Sequence, residues 1–408
     1  MPKIDTSPSK SSEAVRTALD SLRENVRNIL AAQFGGSNFR GIDIVSQFHI
    51  DLKLAWKIIR ISKANDPFEC VRYLPGLGGW DIFCEAAKQI GIGTELADRT
   101  RQSFIQVKEL GLAWGGDARG FELLAAGLAR IGDPRVGLEH RKNHFSSGSY
   151  VWGIRAKSLI RLDVIHPAPD GRNIEMATVR GFVDVERLRA DAPWYLEVPF
   201  CVDDLASGPM DVRFEPIDLD DRGRGAPFLL KRFCSDGVPT FEAPKRERVP
   251  RVVELPIGSV GVECGFTLFH GAVCRGTIPM YRTPENEFAS LMMKIQTPCE
   301  RIVFDVLLHK DLIIGDFPPT GSMFSVLDGW RGQFSHQNRD RIPIDYEIKE
   351  IKSGKRAVGY EGFGRMEELH DSTLARGGWD RKVFRHFRAE IAYPPVPSTM
   401  TIDIPLLG

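Results

Sequence analysis

Gly41–Lys63 reads GIDIVSQFHIDLKLAWKIIRISK, and it decides the N-terminal half of the fold. Val45, Phe48 and Ile50 give an apolar set around a turn. Asp51 offers a carboxylate that can accept an orphan backbone N–H, as an N-cap does. From Leu52 onward, Leu54, Ala55, Ile58, Ile59 and Ile61 supply the apolar side of a helix. Lys53, Lys57 and Arg60 recur at i, i+4 and i+7 and so share one helical face. The spacing predicts a short helix, a tight turn and a second helix with one buried side and one basic side. An ordinary helical hairpin with solvated lysines shows the same pattern.

The stretch resembles the helix-turn-helix DNA-binding families. Ile44, Phe48, Ile50, Ala55 and Ile58 occupy the apolar positions of that pattern. Val45 stands where a small residue is usual, and His49 where glycine usually makes the turn. Histidine tolerates left-handed backbone better than a β-branched residue does. The resemblance implies a second helix docked in the major groove of double-stranded DNA. Lys53, Trp56, Lys57, Arg60 and Lys63 would then face DNA. It also implies a transcription regulator acting as a homodimer on two half-sites. For Trp56 itself, packing is the expected role and a base or sugar contact the alternative.

Outward from this segment the chain reads as helix. Residues 1–12 are polar and expected to be disordered. Ser12 is placed to cap a helix over Glu13–Ala32, whose Val15, Leu19, Leu22, Val26, Ile29 and Leu30 follow the 3.6 period. Gly35-Gly36-Ser37-Asn38 breaks it. A short helix over Phe68–Tyr73, longer ones over Trp80–Ile90 and, capped by Thr94, over Glu95–Leu110, and one capped by Asp117 and running to Ile131 complete a helical domain at 13–131. The glycine-rich joint Leu74–Gly79 carries no phosphate-loop pattern.

The remainder changes character. Residues 132–195 read as a connecting α/β segment, with a helix, a strand, a turn at Pro167–Arg172 and a strand at Met176–Val185. Residues 196–408 carry short β-type runs at Val252–Leu255, Val260–Phe269, Arg301–Leu308 and Tyr346–Ile351. Helices are expected at Phe363–Arg376 and Trp379–Phe387. In the second, Arg381, Arg385 and Arg388 would line one face opposite Val383, Phe384 and Phe387. The fold class expected is α+β: an all-helical N-terminal domain with a helix-turn-helix, then a β-rich α+β domain.

Composition narrows the function. The 408 residues are 42% hydrophobic and 26% charged, with zero net charge, which argues against a general polyanion binder. Residues 1–64 nevertheless carry ten Lys/Arg against six Asp/Glu, so the N-terminal module is basic and the rest acidic. The seven cysteines include no CxxC pair and no zinc-site spacing. They read as reduced core residues of a cytoplasmic protein. No signal peptide or membrane span is expected.

An enzyme centred in the β-rich half is the alternative. His270, His309, Asp305, Asp316, Glu263 and Cys264 lie there, but none has a spacing with known mechanics. Gly258-Ser259-Val260-Gly261 reads as a plain turn, and Asp218, Asp220 and Asp221 as a solvated acidic loop. His270, beside Phe269 in an apolar run, reads as a satisfied core histidine. No catalytic residue, metal site or cofactor is assigned. The β-rich domain is expected to sense a small-molecule ligand or mediate association. A protein-interaction module is the third reading.

Overall fold

The computed structural model describes residues 10–36, 39–129, 134–198, 213–218, 229–236, 238, 251–255, 258–283, 288–313, 319–325, 341–352 and 358–408. The chain divides into two compact units, Met1–Gly137 and Leu138–Gly408. The first is helical and the second strand-rich, an α+β chain.

The first unit opens with α1 (Lys10–Phe34). Its Val15, Leu19, Leu22, Val26, Ile29 and Leu30 are all buried, as their period requires. The helix starts before the expected cap, so Ser12 lies within its first turn rather than capping it. Next come α2 (Gly41–Phe48) and α3 (Leu52–Lys63), then a 3₁₀ turn at Pro67–Tyr73. Helix α4 (Leu77–Gln89) begins inside the glycine-rich joint, three residues before the expected Trp80. Helix α5 (Thr94–Gly115) runs past Leu110, with Thr94 inside it and Gly93 at its N-cap. Asp117 caps α6 (Ala118–Leu128) through the Gly120 N–H at 2.6 Å. Helix α1 lies along α5, and buried Asn25 donates to the Ser103 hydroxyl at 2.9 Å.

The second unit starts on α7 (Pro134–Trp152) and β1 (Ile154–Pro167). Then follow β2 (Asn173–Arg187), β3 (Trp194–Val198), β4 (Arg213–Pro216), β5 (Arg251–Leu255) and β6 (Phe266–Pro279). After these come β7 (Phe288–Ile295), β8 (Cys299–His309), β9 (Thr320–Phe324) and β10 (Ile348–Glu350). The order closes with α8 (Met366–Gly377), β11 (Phe384–Ala392) and β12 (Ser398–Pro405). Among the described residues β10-β11-β8-β1-β2-β6-β4 form a seven-stranded sheet, β7-β12-β9 a second sheet and β3-β5 a ribbon. The 132–195 stretch thus supplies two adjoining strands from inside the large sheet. Strands β1 and β8 pair in parallel, Ala156 beside Cys299 and Ile165 beside Leu308. Asp170 makes the β1–β2 turn by accepting the Arg172 and Asn173 N–H groups at 2.8 and 2.9 Å.

Both faces of this sheet are covered, so β1 is buried along most of its length. One face, with Leu159, Ile302, Phe304 and Phe387, shares a core with Leu291, Met400 and Ile402 of the small sheet. On that face Arg161 Nη2 lies 2.7 Å from Asp163 Oδ2, and the Thr178 hydroxyl donates to Asp163 Oδ1 at 2.6 Å. Arg161 also donates to the Met292 carbonyl. The opposite face, with Leu162, Val164, Val303 and Leu307, packs on Met366, Leu369 and Leu374 of α8.

Two local expectations fail here. Trp379–Phe387 is not a helix: a 3₁₀ turn at Arg381–Val383 leads into strand β11. Of the three arginines, Arg385 and Arg388 answer charges on neighbouring strands, Glu350 of β10 and Asp305 of β8, and Arg381 pairs with Asp371 of α8. Cross-strand pairing outweighs the helical spacing. In Val260–Phe269 the strand begins only at Phe266, after a 3₁₀ turn at Val262–Cys264. Ser37, Asn38, Asp220, Asp221 and Asp316 lie outside the described residues.

Gly181 of β2 pairs with Phe269 of β6, whose ring lies over it. A Cβ at Gly181 would fall 2.1 Å from that ring. Gly181→Ala is expected to overpack the core and destabilise the protein by about 1–3 kcal/mol. Denaturant unfolding would show a lower midpoint with an unchanged slope. An unchanged midpoint would mean that the ring yields freely.

Candidate nucleic-acid interface

Helix α3 is fixed at both ends. At its N-terminus Asp51 Oδ1 accepts the Lys53 and Leu54 N–H groups at 2.8 and 3.0 Å. The turn before it passes through His49 at φ 52°, ψ 39°, so histidine takes the left-handed conformation that glycine usually supplies. At the C-terminus two arginines of α1 reach the last carbonyls. Arg27 Nε donates to Ser62 O at 2.6 Å, Arg27 Nη2 to Ala64 O at 3.2 Å, and Arg23 also donates to Ala64 O. Ile44, Phe48 and Ile50 around the turn, and Leu54, Ala55, Ile58 and Ile61 of α3, are buried. Phe48 stacks on Phe83 of α4 at 5.5 Å.

The opposite face of α3 carries Lys53, Trp56, Lys57 and Arg60 in one stripe, with Lys63 exposed at its edge. Lys63 Nζ lies 5.3 Å from the Phe39 ring centroid. Trp56 is 45% exposed, so it packs at the surface and not in the core. Its indole stands edge-on to Tyr73 at 5.6 Å, and the Arg60 guanidinium lies over it at 4.6 Å. Arg72 lies over Tyr73 at 4.5 Å and donates to its hydroxyl. The sequence pattern missed Tyr73 and Arg72, because the 3₁₀ turn brings them back against α3 from beyond its end. Among the described residues, none of Lys53, Lys57, Arg60 and Lys63 pairs with a carboxylate. By contrast Arg16 meets Asp66, Arg23 meets Asp20 and Arg40 meets Asp43. Helix α3 therefore displays four basic side chains without a carboxylate partner among the described residues.

The second unit brings together a set with no sequence signature. Arg388 of β11 donates to Asp305 of β8 through Nε and Nη2, at 2.6 and 2.7 Å. His370 Nε2 of α8 lies 2.9 Å from Asp305 Oδ2, and His386 Nε2 3.1 Å from Oδ1. All four side chains are buried. Burial alone would raise the Asp305 pKa, but the Arg388 guanidinium and the two imidazoles outweigh it and hold the carboxyl well below its ordinary range. Burial lowers His370 despite the adjacent carboxylate. Two imidazoles and a carboxylate are a metal donor set by type. Here both Asp305 oxygens are held by Arg388, which already supplies the positive charge, so the cluster reads as a buried lock joining β8, β11 and α8. Arg388 extends it to the carbonyls of Val358 and Gly359.

His270 of β6 is buried as expected but not satisfied: neither ring nitrogen has a hydrogen-bond partner. A cavity of about 120 Å³ lies elsewhere, lined by Ile165, Ile174, Met280, Leu291, Leu308 and Ile404 among others. Ser290 also lines it, and its hydroxyl is held by Asp403 at 2.6 Å.

No protein-family model matches the chain, and no curated protein matches it. A solved structure from Parabacteroides distasonis ATCC 8503, described as a "putative protease", shares 8% identity with it. The alignment covers 62% of this chain and 40% of that one, with a TM-score of 0.27. A likeness at that level carries no argument about fold or activity.

His270 makes stability acid-sensitive. Burial, aided by the Arg180 charge, drives its pKa down to about 3, whereas an unfolded-chain histidine titrates near about 6.5. Below that value the unfolded chain binds a proton that the folded chain refuses. Stability is therefore expected to fall as pH drops from about 6.5 towards 3, by up to about 1.4 kcal/mol per pH unit for this group. His370 acts in the same direction. Denaturant unfolding at pH 7, 6 and 5 should show a shallower decline in His270→Leu. A decline as steep as the wild type's would rule out His270 as its source.

Proposed function

We propose that this chain binds double-stranded DNA and regulates transcription, with α3 as the helix that enters the major groove. One observation carries the reading: the outer face of α3 presents Lys53, Lys57 and Arg60 without a carboxylate partner among the described residues. The capped, αL-joined α2–α3 pair supports the same reading, since it is the local geometry a helix-turn-helix uses. Lys63 and Trp56 would border the contact. The chain would act in the cytoplasm as a homodimer on two half-sites. Among the described residues no helix is long and apolar enough to cross a membrane.

The strand-rich unit would sense a small ligand or mediate association. The cavity between the large sheet and the β7–β12 pair supports the ligand role. Its aliphatic wall suits an uncharged molecule of roughly benzene's size. Among the described residues the Asp305 cluster offers one centre for an enzymatic reading, and its burial and Arg388 pairing both count against it.

Lysine at a phosphate acts as a point charge. Lys57→Ala is expected to weaken binding to all duplexes alike and to flatten the dependence of log K on log salt by about one unit. Titrations of the full chain at several salt concentrations would show both effects. A folded chain that binds no duplex even at low salt would remove the DNA reading and favour the protein-interaction one.

A further inference from the structure

Resting on the DNA reading, we infer that Arg60 reads a guanine in the major groove, and that Trp56 is the positioning residue that holds it for that task. Arg60 differs from Lys53 and Lys57 in being braced. Its guanidinium lies 4.6 Å from the Trp56 ring centroid and 6.0 Å from that of Tyr73. Tyr73 in turn backs Trp56 edge-on at 5.6 Å and 81°. Despite this ordering, Arg60 has no hydrogen bond or ion pair to another described residue. A guanidinium carries five N–H donors in a planar fork. Attraction to the face of a ring uses the guanidinium's charge and forms no hydrogen bond with its N–H fork. A braced, half-buried side chain on the basic stripe, with no donor met among the described residues, suits an external planar acceptor pair. Guanine presents such a pair, O6 and N7, in the major groove. Simple phosphate contact needs only charge and would make no use of the aromatic brace.

The ordering also limits the entropy lost on binding. An arginine free in solution gives up rotamer freedom when it forms two directed bonds. Here Trp56 and Tyr73 have already removed part of it. The brace should therefore contribute to discrimination at one base pair more than to affinity in general.

The test uses the full chain and duplexes selected from a random library. Affinities are measured for the best duplex, for copies carrying 7-deazaguanine at each guanine in turn, and for an unselected duplex. The wild type should lose on the order of tenfold at one particular guanine when N7 is removed. Arg60→Lys should lose that sensitivity while still binding. Trp56→Ala should weaken binding to the unselected duplex by a few-fold at most, yet reduce preference for the guanine to about twofold. Trp56→Phe, which keeps an aromatic face, should restore most of the preference. Circular dichroism of each variant separates these effects from misfolding. A wild type indifferent to every N7 substitution would overturn the inference. So would a Trp56→Ala chain that keeps full guanine preference, or one that loses affinity equally on all duplexes. Either result leaves DNA binding itself standing, whereas a folded wild type that binds no duplex removes both.

Discussion

The first unit depends on two cations that never reach its surface stripe. A helix leaves its last carbonyls without intrahelical donors. In α3 those carbonyls are met by Arg23 and Arg27 from α1, whose charges also suit the negative end of the helix dipole. Asp51 answers the opposite end. The helix is thus held at both termini and along its apolar side, and the stripe of Lys53, Trp56, Lys57 and Arg60 is left on the other side. A basic helix held this way keeps its register to the rest of the unit, which a groove-reading helix requires.

The part of this arrangement that was legible in the sequence is the part that is local. The limits of α3, the Asp51 cap and the left-handed turn at His49 follow from neighbours within a few residues. The apolar period of α1 follows in the same way. What escaped was set by distance along the chain. Tyr73 and Arg72 reach α3 only because Pro67–Tyr73 folds back, and no spacing rule announces that. The segment from Trp379 to Arg388 satisfies a helical pattern and a strand pattern together. Glu350 and Asp305 decide between them, and both are remote in sequence. The exposure of Trp56 was hidden for a related reason, since aromatic bulk suggests a core until its surroundings are known.

The strand-rich unit places ion pairs on both faces of one sheet. Arg161 and Asp163 lie towards the small sheet, Asp305 and Arg388 towards α8. Buried pairs add little net stability, because desolvation offsets their attraction. They act more strongly against errors. A one-residue slip of β8 would turn Asp305 into the apolar layer with Phe387 and Met400, leaving Arg388 uncompensated. The charges therefore fix strand register more than they deepen the energy minimum.

The parallel pairing of β1 with β8 sets the order in which the protein can assemble during synthesis. Ala156 must wait for Cys299, and Ile165 for Leu308. The helical unit and the β1–β2 hairpin are complete long before then, and domains fold from the N-terminus as they emerge. Meanwhile one edge of β1 stays open from Leu159 to Ile165, a stretch interrupted only by the charges of Arg161 and Asp163. An open edge is a template for pairing with any passing strand. Closing a loop of this length is also slow. The chain should thus be most prone to aggregation while still attached to the ribosome, in a window that ends when β8 arrives. Arrested nascent chains of increasing length, probed by limited proteolysis, would show whether the β1 edge becomes protected only then.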